Sequence, residues 1–413
     1  MSDSKNSRLR EINSCEVCGS TILVPVLNLG SHPMCDDLVA IDDERVCKEY
    51  PIEILFCNKC FTAHQKFQIP KAELFPKTYH YRSRFTADVL NGMADLVQAC
   101  EKQFGNLSDK KVLDIGCNDG SLLDFFRTAG ADTYGIEPTD ASLDALAKGH
   151  KITSNFLTTD SAELFVKEHG KMDFICFTNV FAHIEDLREV IAALKIVIHP
   201  QSIIVIENHY LGSVLNTSQF DTFYHEHPRT YSYQSFIFIA QSLGLSLLNV
   251  QFPSRYGGNI RVFMGKEVNG ESSINKEVIE KEKDFPDKFV LMNKQIENWR
   301  HTKSEFIKNY NSSNGKLIAK AFPGRAAILI KLLNLTDNEI ECTFEKPGSM
   351  KIGHYLPGTR IPIKSDDELF TVENSKKPIL NLAWHIPVEI QNYLASNGHT
   401  GEVINILSQE DLK

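Results

Sequence analysis

Residues 223–227, FYHEH, bring two histidines, a glutamate and a tyrosine into one short segment. A neutral imidazole can remove a proton near pH 7, and a carboxylate or a phenol beside it can hold or orient a hydroxyl group. Histidines two positions apart lie on the same face of an extended chain, so His225 and His227 are also spaced as metal ligands can be. The segment by itself leaves three interpretations open: an acid–base centre, a metal site or a polar turn.

Two CxxC pairs near the start of the chain form a second candidate site. Zinc prefers four thiolates in a tetrahedron, and each CxxC turn supplies two of them. Such a site has no open coordination position, so we predict a structural zinc ion rather than a catalytic one. Four unrelated cysteines are the alternative, and Cys35 and Cys47 lie between the pairs without partners at ligand spacing. The predicted ligands are Cys15, Cys18, Cys57 and Cys60.

A turn containing two glycines, in VLDIGCNDGSLL, is the third candidate site. The residues before it are typical of a strand and those after it of a helix. The glycines allow a tight turn and a close approach of the backbone to a ligand. A diphosphate would prefer bare amides at a helix N-terminus, whereas acidic residues suit a cationic or hydroxyl-bearing ligand. The candidate ligand-binding residues of this turn are Asp114, Gly116, Asn118, Asp119 and Gly120.

A further acid, Glu137, follows the next predicted strand in the segment YGIEP. A carboxylate at this place can accept hydrogen bonds from both hydroxyl groups of a ribose. The glycine turn and this acid together predict S-adenosylmethionine as the cofactor. A nicotinamide-binding Rossmann domain, or an α/β turn without a ligand, is the alternative interpretation.

Strands and helices alternate around the glycine turn, which predicts an α/β fold with a parallel sheet covered on both faces. The segment LSLLNVQFPSRYGGNIRVFMG is typical of a hairpin that closes this sheet. Residues 271–311 are charged and helix-prone, with Pro286 interrupting them. The last hundred or so residues alternate again, which predicts a second, smaller α/β domain.

Charge and hydropathy exclude several classes of protein. The 413 residues carry a net charge of −9 and no basic block, which disfavours nucleic acid as a partner. No apolar run reaches the roughly 18 residues of a membrane span, so no membrane partner is expected. The first residues, MSDSKNSRLREINS, are polar and lack the apolar segment of a signal peptide. We therefore expect a cytoplasmic protein.

Seven motifs follow one another in a characteristic order: CEVCG…CNKC, TYHYRS, VLDIGCNDG, NVFAHIEDL, FDTFYHEHPRTYS, YGGNIRVF and GHYLPGTRIPI…NLAWH. In this order the chain resembles the sugar C-methyltransferases of branched deoxysugar biosynthesis over nearly its whole length. The resemblance implies a zinc-binding domain at residues 1–78 and a class I, Rossmann-like methyltransferase domain at 79–268. It also implies a helical linker and α/β substrate-binding domain at 269–413. Such enzymes methylate C-3 of a nucleotide-linked 4-keto-deoxyhexose, so the implied partner is a keto-deoxysugar linked to dTDP or GDP.

The resemblance also implies roles for the FYHEH segment. Carbon becomes a nucleophile only when a neighbouring carbonyl stabilises it as an enolate, so the reaction needs a base and a group that holds the charge on oxygen. His227 matches the base of the family. Tyr224 is expected to hydrogen-bond the enolate or orient the sugar, and Glu226 to hold a hydroxyl group or the base. His225 is interpreted as a hydrogen-bonded structural histidine.

Four further residues match the family by position. His183, in NVFAHI, is expected to be a second acid–base or oxyanion-stabilising group, although a lone histidine there would ordinarily be structural. Asn179 is expected at the cofactor edge of the same loop. Tyr79 and Tyr81 match a tyrosine pair of which one member reaches the sugar, and a domain-interface role is the alternative.

The C-terminal segment departs from the family pattern. KAFPGRAAIL has Arg325 where a lysine is expected and retains only Gly324 of a glycine-rich turn. Either Arg325 binds a phosphate of the nucleotide or this domain has lost that role. His385 and Arg84 also differ from the residues usual in relatives. Two other functions remain open: an O- or N-methyltransferase acting on a sugar or small metabolite, and a non-catalytic relative that binds S-adenosylmethionine.

Overall fold

The computed structural model describes residues 9–75, 82–267, 274–371 and 373–413. These residues form two compact units. The first unit comprises the described parts of Met1–Val24, Leu55–Val214 and Glu226–Phe285. The second comprises those of Pro25–Ile54, Leu215–His225 and Pro286–Lys413. The chain therefore passes between the units inside the FYHEH segment, after His225.

Both units contain strands and helices. Within the described residues the strands are, in chain order, β1 (Arg10–Glu11), β2 (Val24–Pro33), β3 (Val39–Ala40), β4 (Glu49–Cys57), β5 (Thr62–Gln65), β6 (Phe67–Gln68), β7 (Lys111–Ile115), β8 (Asp132–Ile136), β9 (Lys151–Thr153), β10 (Met172–Thr178), β11 (Ile198–His209), β12 (Arg229–Thr230), β13 (Ser246–Gln251), β14 (Asn259–Gly265), β15 (Leu317–Lys320), β16 (Ile340–Glu345), β17 (His354–Tyr355), β18 (Ile363–Ser365), β19 (Ile379–Asn381) and β20 (Val403–Asn405).

The α-helices of the same residues are α1 (Lys71–Leu74), α2 (Ala87–Phe104), α3 (Ser121–Thr128), α4 (Ala141–Ala147), α5 (Thr159–His169), α6 (Leu187–Val197), α7 (Leu211–Asn216), α8 (Tyr233–Leu243), α9 (Lys276–Glu282), α10 (Phe285–Asn314), α11 (Ala326–Leu332), α12 (Asp366–Leu369) and α13 (Pro387–Ser396).

A seven-stranded sheet with the order β13-β14-β11-β10-β7-β8-β9 forms the centre of the first unit. β7 to β11 are parallel to one another, and β14 is antiparallel to both β11 and β13. One face packs Leu113 and Ile206 against α5, α6 and α8, and the other packs Val112 and Val205 against α2 and α3. This alternation follows from the two-residue period of a strand. The predicted class I sheet and its closing hairpin are confirmed.

The parallel strands bring the candidate residues to one edge of this sheet. β7, β8, β10 and β11 run in the same direction, so the residues that follow them meet at their carboxyl ends. The glycine turn follows β7, Glu137 follows β8 and Asn179 follows β10, while His209 is the last residue of β11. Ligands of open α/β sheets bind at this edge.

The cysteine pairs also belong to the first unit. Cys57 ends β4, and Cys60 lies two residues before β5. β5 pairs antiparallel with β12, with Arg229 opposite His64 and Thr230 opposite Ala63. The strand that follows the second CxxC pair is therefore hydrogen-bonded to the residues that directly follow FYHEH.

The second unit contains a parallel five-stranded sheet with the order β18-β16-β15-β19-β20. Ile318, Phe344, Ile379 and Leu394 are among the buried residues of its core. The predicted second α/β domain is confirmed by this sheet. Pro286 lies in the first turn of the long helix α10, where its missing N–H breaks no helical hydrogen bond.

The three-domain boundaries at 1–78, 79–268 and 269–413 stay a prediction. The division into two compact units follows the packing of the chain, and it places residues 25–54 with the C-terminal sheet. In the part of the chain that the structure describes, no helix has the length and apolar character needed to cross a membrane.

Candidate active site and metal centre

The four predicted zinc ligands come together. The Sγ atoms of Cys15 and Cys60 are 3.3 Å apart, those of Cys18 and Cys57 are 3.6 Å apart, and all four lie within 4.8 Å of one another. A tetrahedral zinc with Zn–S bonds of about 2.3 Å places its sulfurs about 3.8 Å apart. Three of the four side chains are buried. The four sulfurs therefore fit a closed zinc site, as the sequence predicts.

Hydrogen-bond donors surround these sulfurs. Nε2 of His64 lies 3.3 Å from Sγ of Cys15, and Oγ1 of Thr62 lies 3.0 Å from Sγ of Cys60. Both donors are fully buried on β5. Donors of this kind offset the negative charge of zinc-bound thiolates and fix the ligands. Spacing within the CxxC pairs could not identify them, because they contact the sulfurs only through the fold.

The glycine turn requires glycine at both predicted positions. Gly116 and Gly120 have φ of +70° and +75°, which strains any residue with a side chain. A Cβ at Gly116 would lie 2.7 Å from the side chain of Val180, and a Cβ at Gly120 would lie 2.9 Å from that of His150. Asn118 also has positive φ, +49°, which asparagine tolerates better than most residues.

Two polar side chains of the turn hold the segment before α2. Oδ1 of Asn118 accepts the amide of Ser83 at 3.0 Å. Asp119 accepts the amide of Arg84 at 3.0 Å through Oδ2 and the hydroxyl of Ser121 at 2.6 Å through Oδ1. Arg84, one of the departures from the family pattern, thus contacts the turn itself. Asn118 and Asp119 shape the site in this structure, so a ligand contact of either would come in addition to these bonds.

Two buried acids face the turn from the strand ends. Glu137 accepts the amide of Asn118 at 3.0 Å through Oε2 and the amide and hydroxyl of Thr139 at 2.9 and 2.6 Å through Oε1. A carboxylate has about four acceptor sites, so Glu137 retains capacity for a ligand hydroxyl. Burial, and then the charge of Glu137, raise the pKa of Asp114 well above its ordinary value. A cationic ligand beside Asp114 would oppose that shift.

Asn179 lies where β10 ends. Its backbone has φ of +55°, and its amide donates to the carbonyl oxygen of Glu207 at 2.8 Å. Its buried Oδ1 has no hydrogen-bond partner among the residues that the structure describes, and neither has Oγ1 of Thr178. Buried polar atoms without partners are costly, so these two oxygens are suited to meet a ligand.

Three histidines gather in the first unit. The ring centroid of His227 lies 4.9 Å from that of His183 and 5.7 Å from that of His209. His209 is not among the residues predicted from the sequence. The rule that ligands bind at the carboxyl ends of parallel strands, applied to β11, would have identified it.

The protonation state of His183 follows from its contacts. Its Nδ1–H donates to the carbonyl oxygen of Glu226 at 2.7 Å, so Nε2 carries the lone pair in the neutral ring. Burial lowers the pKa of His183 to about 4. At neutral pH this ring therefore presents a hydrogen-bond acceptor, which suits an orienting role better than stabilisation of an oxyanion.

His225 has a different environment, in the second unit. Its Nε2–H donates to the carbonyl oxygen of Tyr50 at 3.0 Å, and the two rings pack edge to face at 5.9 Å. This supports the structural interpretation of His225. Tyr224 also belongs to the second unit and is partly exposed. The predicted Tyr79 and Tyr81 lie outside the described residues.

The metal interpretation of FYHEH finds no support in the side-chain geometry. Among the residues placed in this structure, a group of three or more histidine, cysteine or acidic side chains close enough to share an ion occurs at the four cysteines. His183, His209 and His227 do not form such a group.

Burial lowers the pKa of His225 to about 4, against an ordinary value of 6.5. As the pH falls, His225 therefore binds a proton in the unfolded chain before it does so in the folded chain. Its contribution to the free energy of unfolding is present above pH 6.5 and is lost towards pH 4. We expect the free energy of unfolding to fall by about 2 kcal/mol between pH 7 and pH 5 on account of this residue. His225→Gln should reduce that pH dependence in denaturant titrations, whereas the exposed His301→Gln should not. An identical slope in parent and His225→Gln would contradict this.

Arg325, the departure in the second unit, is paired. Its Nε lies 3.3 Å from Oδ2 of the buried Asp221, which also accepts Nε1–H of Trp384 at 2.9 Å. The charge of Arg325 is thus balanced within the protein. Its Nη2 has no hydrogen-bond partner among the described residues. A phosphate at this place could accept a hydrogen bond from Nη2, but the positive charge of Arg325 is already paired with Asp221.

Three family models match the chain in succession. They describe a zinc binding domain at residues 15–75, a methyltransferase domain at 80–250 and a C-methyltransferase C-terminal domain at 254–406. The C-methyltransferase NovU of Streptomyces niveus is 25% identical to the chain over 391 residues, which are 92% of each protein. These matches together indicate a C-methyltransferase. This C-methyltransferase depends on S-adenosylmethionine, and its four clustered cysteines form a structural zinc site.

Two other similar proteins match a smaller share of the chain. A ubiquinone biosynthesis O-methyltransferase of Bordetella avium is 29% identical over 100 residues, which are 23% of this chain and 41% of that protein. The magnesium protoporphyrin IX methyltransferase of Synechocystis, solved with bound S-adenosylmethionine, is 18% identical with a TM-score of 0.33. That match covers 44% of this C-methyltransferase and 80% of the solved chain.

Glu137→Gln should weaken binding of S-adenosylmethionine to this C-methyltransferase. The substitution keeps the size of the side chain but removes the charge that can accept ribose hydroxyls. Hydrogen bonds to a charged group contribute about 1.5–3 kcal/mol, so we expect Kd to rise about 10- to 100-fold in titration calorimetry. Glu163→Gln, at an exposed position on α5, is the control and should bind like the parent. Equal affinities for both variants would show that Glu137 does not contact the cofactor.

Proposed function

We propose that this C-methyltransferase transfers a methyl group from S-adenosylmethionine to C-3 of a nucleotide-linked 4-keto-deoxyhexose. The observation that carries the proposal is the position of His227, beside His183 and His209 at the carboxyl-end edge of the central sheet. The ordered sugar-methyltransferase motifs along nearly the whole chain support the substrate class. The similarity to NovU over 92% of both proteins supports transfer to carbon.

His227 is the proposed base. C-3 of such a sugar lies next to the C-4 carbonyl, so removal of its proton sends the electron pair towards the C-4 oxygen as an enolate. When bound, S-adenosylmethionine supplies an electrophilic methyl group on its sulfonium. The enolate carbon C-3 would take this methyl group as the methyl–sulfur bond breaks, which would restore the C-4 carbonyl. The proton taken by His227 passes to solvent before the next turnover.

His183 is the proposed orienting partner of the base. Its neutral Nε2 can accept a hydrogen bond from a hydroxyl group of the sugar or from the N–H of His227. The carbonyl of Glu226, next to His227 in the chain, holds His183 through Nδ1–H. A shift of His227 would therefore disturb His183 as well. Tyr224 and Glu226 keep the roles implied by the family resemblance. Tyr224 hydrogen-bonds the enolate or orients the sugar, and Glu226 holds a hydroxyl group or the base.

The cofactor residues are assigned by charge and hydrogen-bonding capacity. Asp114 is the proposed partner of the cationic part of S-adenosylmethionine. Burial and the charge of Glu137 raise its pKa, and a cation beside it would favour its charged form. Glu137 is the proposed ribose ligand, and Asn179 offers its Oδ1. Gly116 and Gly120 allow the backbone to approach the cofactor.

Isotope exchange tests the proposed function. The enzyme is incubated with dTDP-, GDP- and CDP-linked 4-keto-6-deoxyhexoses in deuterated water, with and without labelled S-adenosylmethionine. We expect transfer of label to one of these sugars and exchange of its C-3 hydrogen with solvent. Label transfer without exchange at carbon would indicate methylation of oxygen or nitrogen. Binding of S-adenosylmethionine without transfer to any sugar would indicate a non-catalytic relative.

A further inference from the structure

Glu16, one of the two residues between the first two zinc ligands, contacts the segment that carries the proposed base. Glu16 lies inside the first CxxC pair, and its carboxylate forms an ion pair and a hydrogen bond with Nη1 of Arg229. Arg229 is fully buried, and the side chain of Glu16 is 12% exposed. Arg229 stands two positions after His227. A buried ion pair therefore joins the zinc knuckle to the base segment.

Arg229 makes three other contacts with its remaining donors. Its Nε donates to the hydroxyl oxygen of Tyr231 at 3.0 Å. Its Nη1 and Nη2 lie 3.5 and 3.4 Å from the carbonyl oxygen of Glu185, two residues after His183. One guanidinium group thus contacts the knuckle, the loop of His183 and the segment of His227. The planar, five-donor guanidinium is suited to such a junction, whereas a lysine ammonium is not.

Backbone pairing fixes the same segment to the second CxxC pair. The amide of Gln65 donates to the carbonyl oxygen of Pro228 at 2.8 Å, in continuation of the β5–β12 pairing. The hydroxyl groups of Ser232 and Ser235 donate to the carbonyl oxygen of Cys60 at 3.1 and 3.2 Å. Residues on both sides of Arg229 are therefore bonded to the second CxxC pair or to β5, the strand that follows it.

We propose that Glu16 and Arg229 are positioning residues for His227, through which the zinc knuckle sets the geometry of the base. Zinc holds Cys15 and Cys18 in one turn and so fixes Glu16. Glu16 fixes Arg229, and Arg229 fixes the backbone between His227 and Tyr231. Displacement of a catalytic group by about 1 Å can cost about 100-fold in rate, so a small shift suffices. The inference rests on the proposed function insofar as His227 is the base.

Two variants test it. Glu16→Gln removes the charge opposite Arg229, and Arg229→Lys keeps a charge but loses the planar fork. We expect kcat to fall about 10- to 100-fold in each, while KM, the Kd of S-adenosylmethionine and the zinc content stay at parent values. C-3 hydrogen exchange should slow in parallel with kcat. Glu11→Gln is the control, because Glu11 is exposed, lies in the same segment and makes a 3.9 Å ion pair with Lys66.

The alternative outcomes are distinct. A variant that retains zinc and turns over like Glu11→Gln overturns the proposal. If both variants lose activity only together with zinc or thermal stability, the proposal is also overturned, because the pair would then be structural only. If Glu16→Gln releases zinc, Arg229→Lys decides. Full turnover in His227→Ala would instead reject the assignment of His227 as the base. That result is independent of the effect of Glu16→Gln on kcat, so the two failures can be told apart.

Discussion

Replacement of His227 by alanine should lower kcat by about 10²- to 10⁴-fold, the contribution typical of a general base. The affinity for S-adenosylmethionine should stay at the parent value, because the glycine turn, Asp114 and Glu137 remain intact. KM for the keto-sugar should change less than kcat, since proton removal belongs to the transition state rather than to substrate binding. Steady-state kinetics, calorimetry and C-3 hydrogen exchange measure the three effects separately.

His301→Ala is the matched control, because this histidine is exposed on α10 and lies far along the chain from FYHEH. This variant should methylate the keto-sugar and exchange its C-3 hydrogen at the rates of the parent. Rapid C-3 exchange in His227→Ala without methyl transfer would assign proton removal to another group, with His183 and His209 as the nearest imidazoles. Unchanged kcat in His227→Ala would refute the proposed mechanism at its first step.

Replacement of Cys60 by serine should abolish zinc binding and with it the ordered structure around the knuckles. Structural zinc contributes about 10–16 kcal/mol in small zinc-binding peptides, as much as the whole stability of a typical domain. Cys60 is fully buried, and its carbonyl accepts the hydroxyl groups of Ser232 and Ser235. We therefore expect zinc content near zero, a lower unfolding temperature and loss of turnover.

Metal analysis, thermal unfolding and amide hydrogen exchange across β5 and β12 test this prediction together. Cys47→Ser provides the control, because the Cys47 thiol donates to the carbonyl oxygen of Asp37 and a serine hydroxyl can take over that bond. It should retain one zinc ion per chain and parent stability. A Cys60→Ser protein that keeps both zinc and stability would show that the four sulfurs are not the ligand set.

Patterns that depend on neighbours in the chain could be predicted from the sequence. The CxxC turns, the glycine turn between β7 and α3 and the alternation of apolar residues are local, and local sterics and hydrophobic periodicity determine them. Gly116 is an example, because its positive φ favours glycine.

Contacts between distant segments could not be predicted in this way. His209 joins His227 only because β11 ends where the segment after FYHEH returns to the sheet. The neutral state of His183 depends on burial, and its tautomer depends on the carbonyl of Glu226; a motif reveals neither. The sequence leaves open whether Arg325 binds a phosphate, and it does not reveal the ion pair with Asp221, more than a hundred positions earlier.

The sequence by itself determined the chemistry available to this protein: four thiolates for zinc, a cofactor turn and a histidine-rich segment near a strand end. Tertiary structure decided which of these groups meet and in which protonation state. The physical reason is that bond geometry and side-chain periodicity act over a few residues. Burial, ion pairing and hydrogen bonding to a distant carbonyl, by contrast, exist only once the chain has folded.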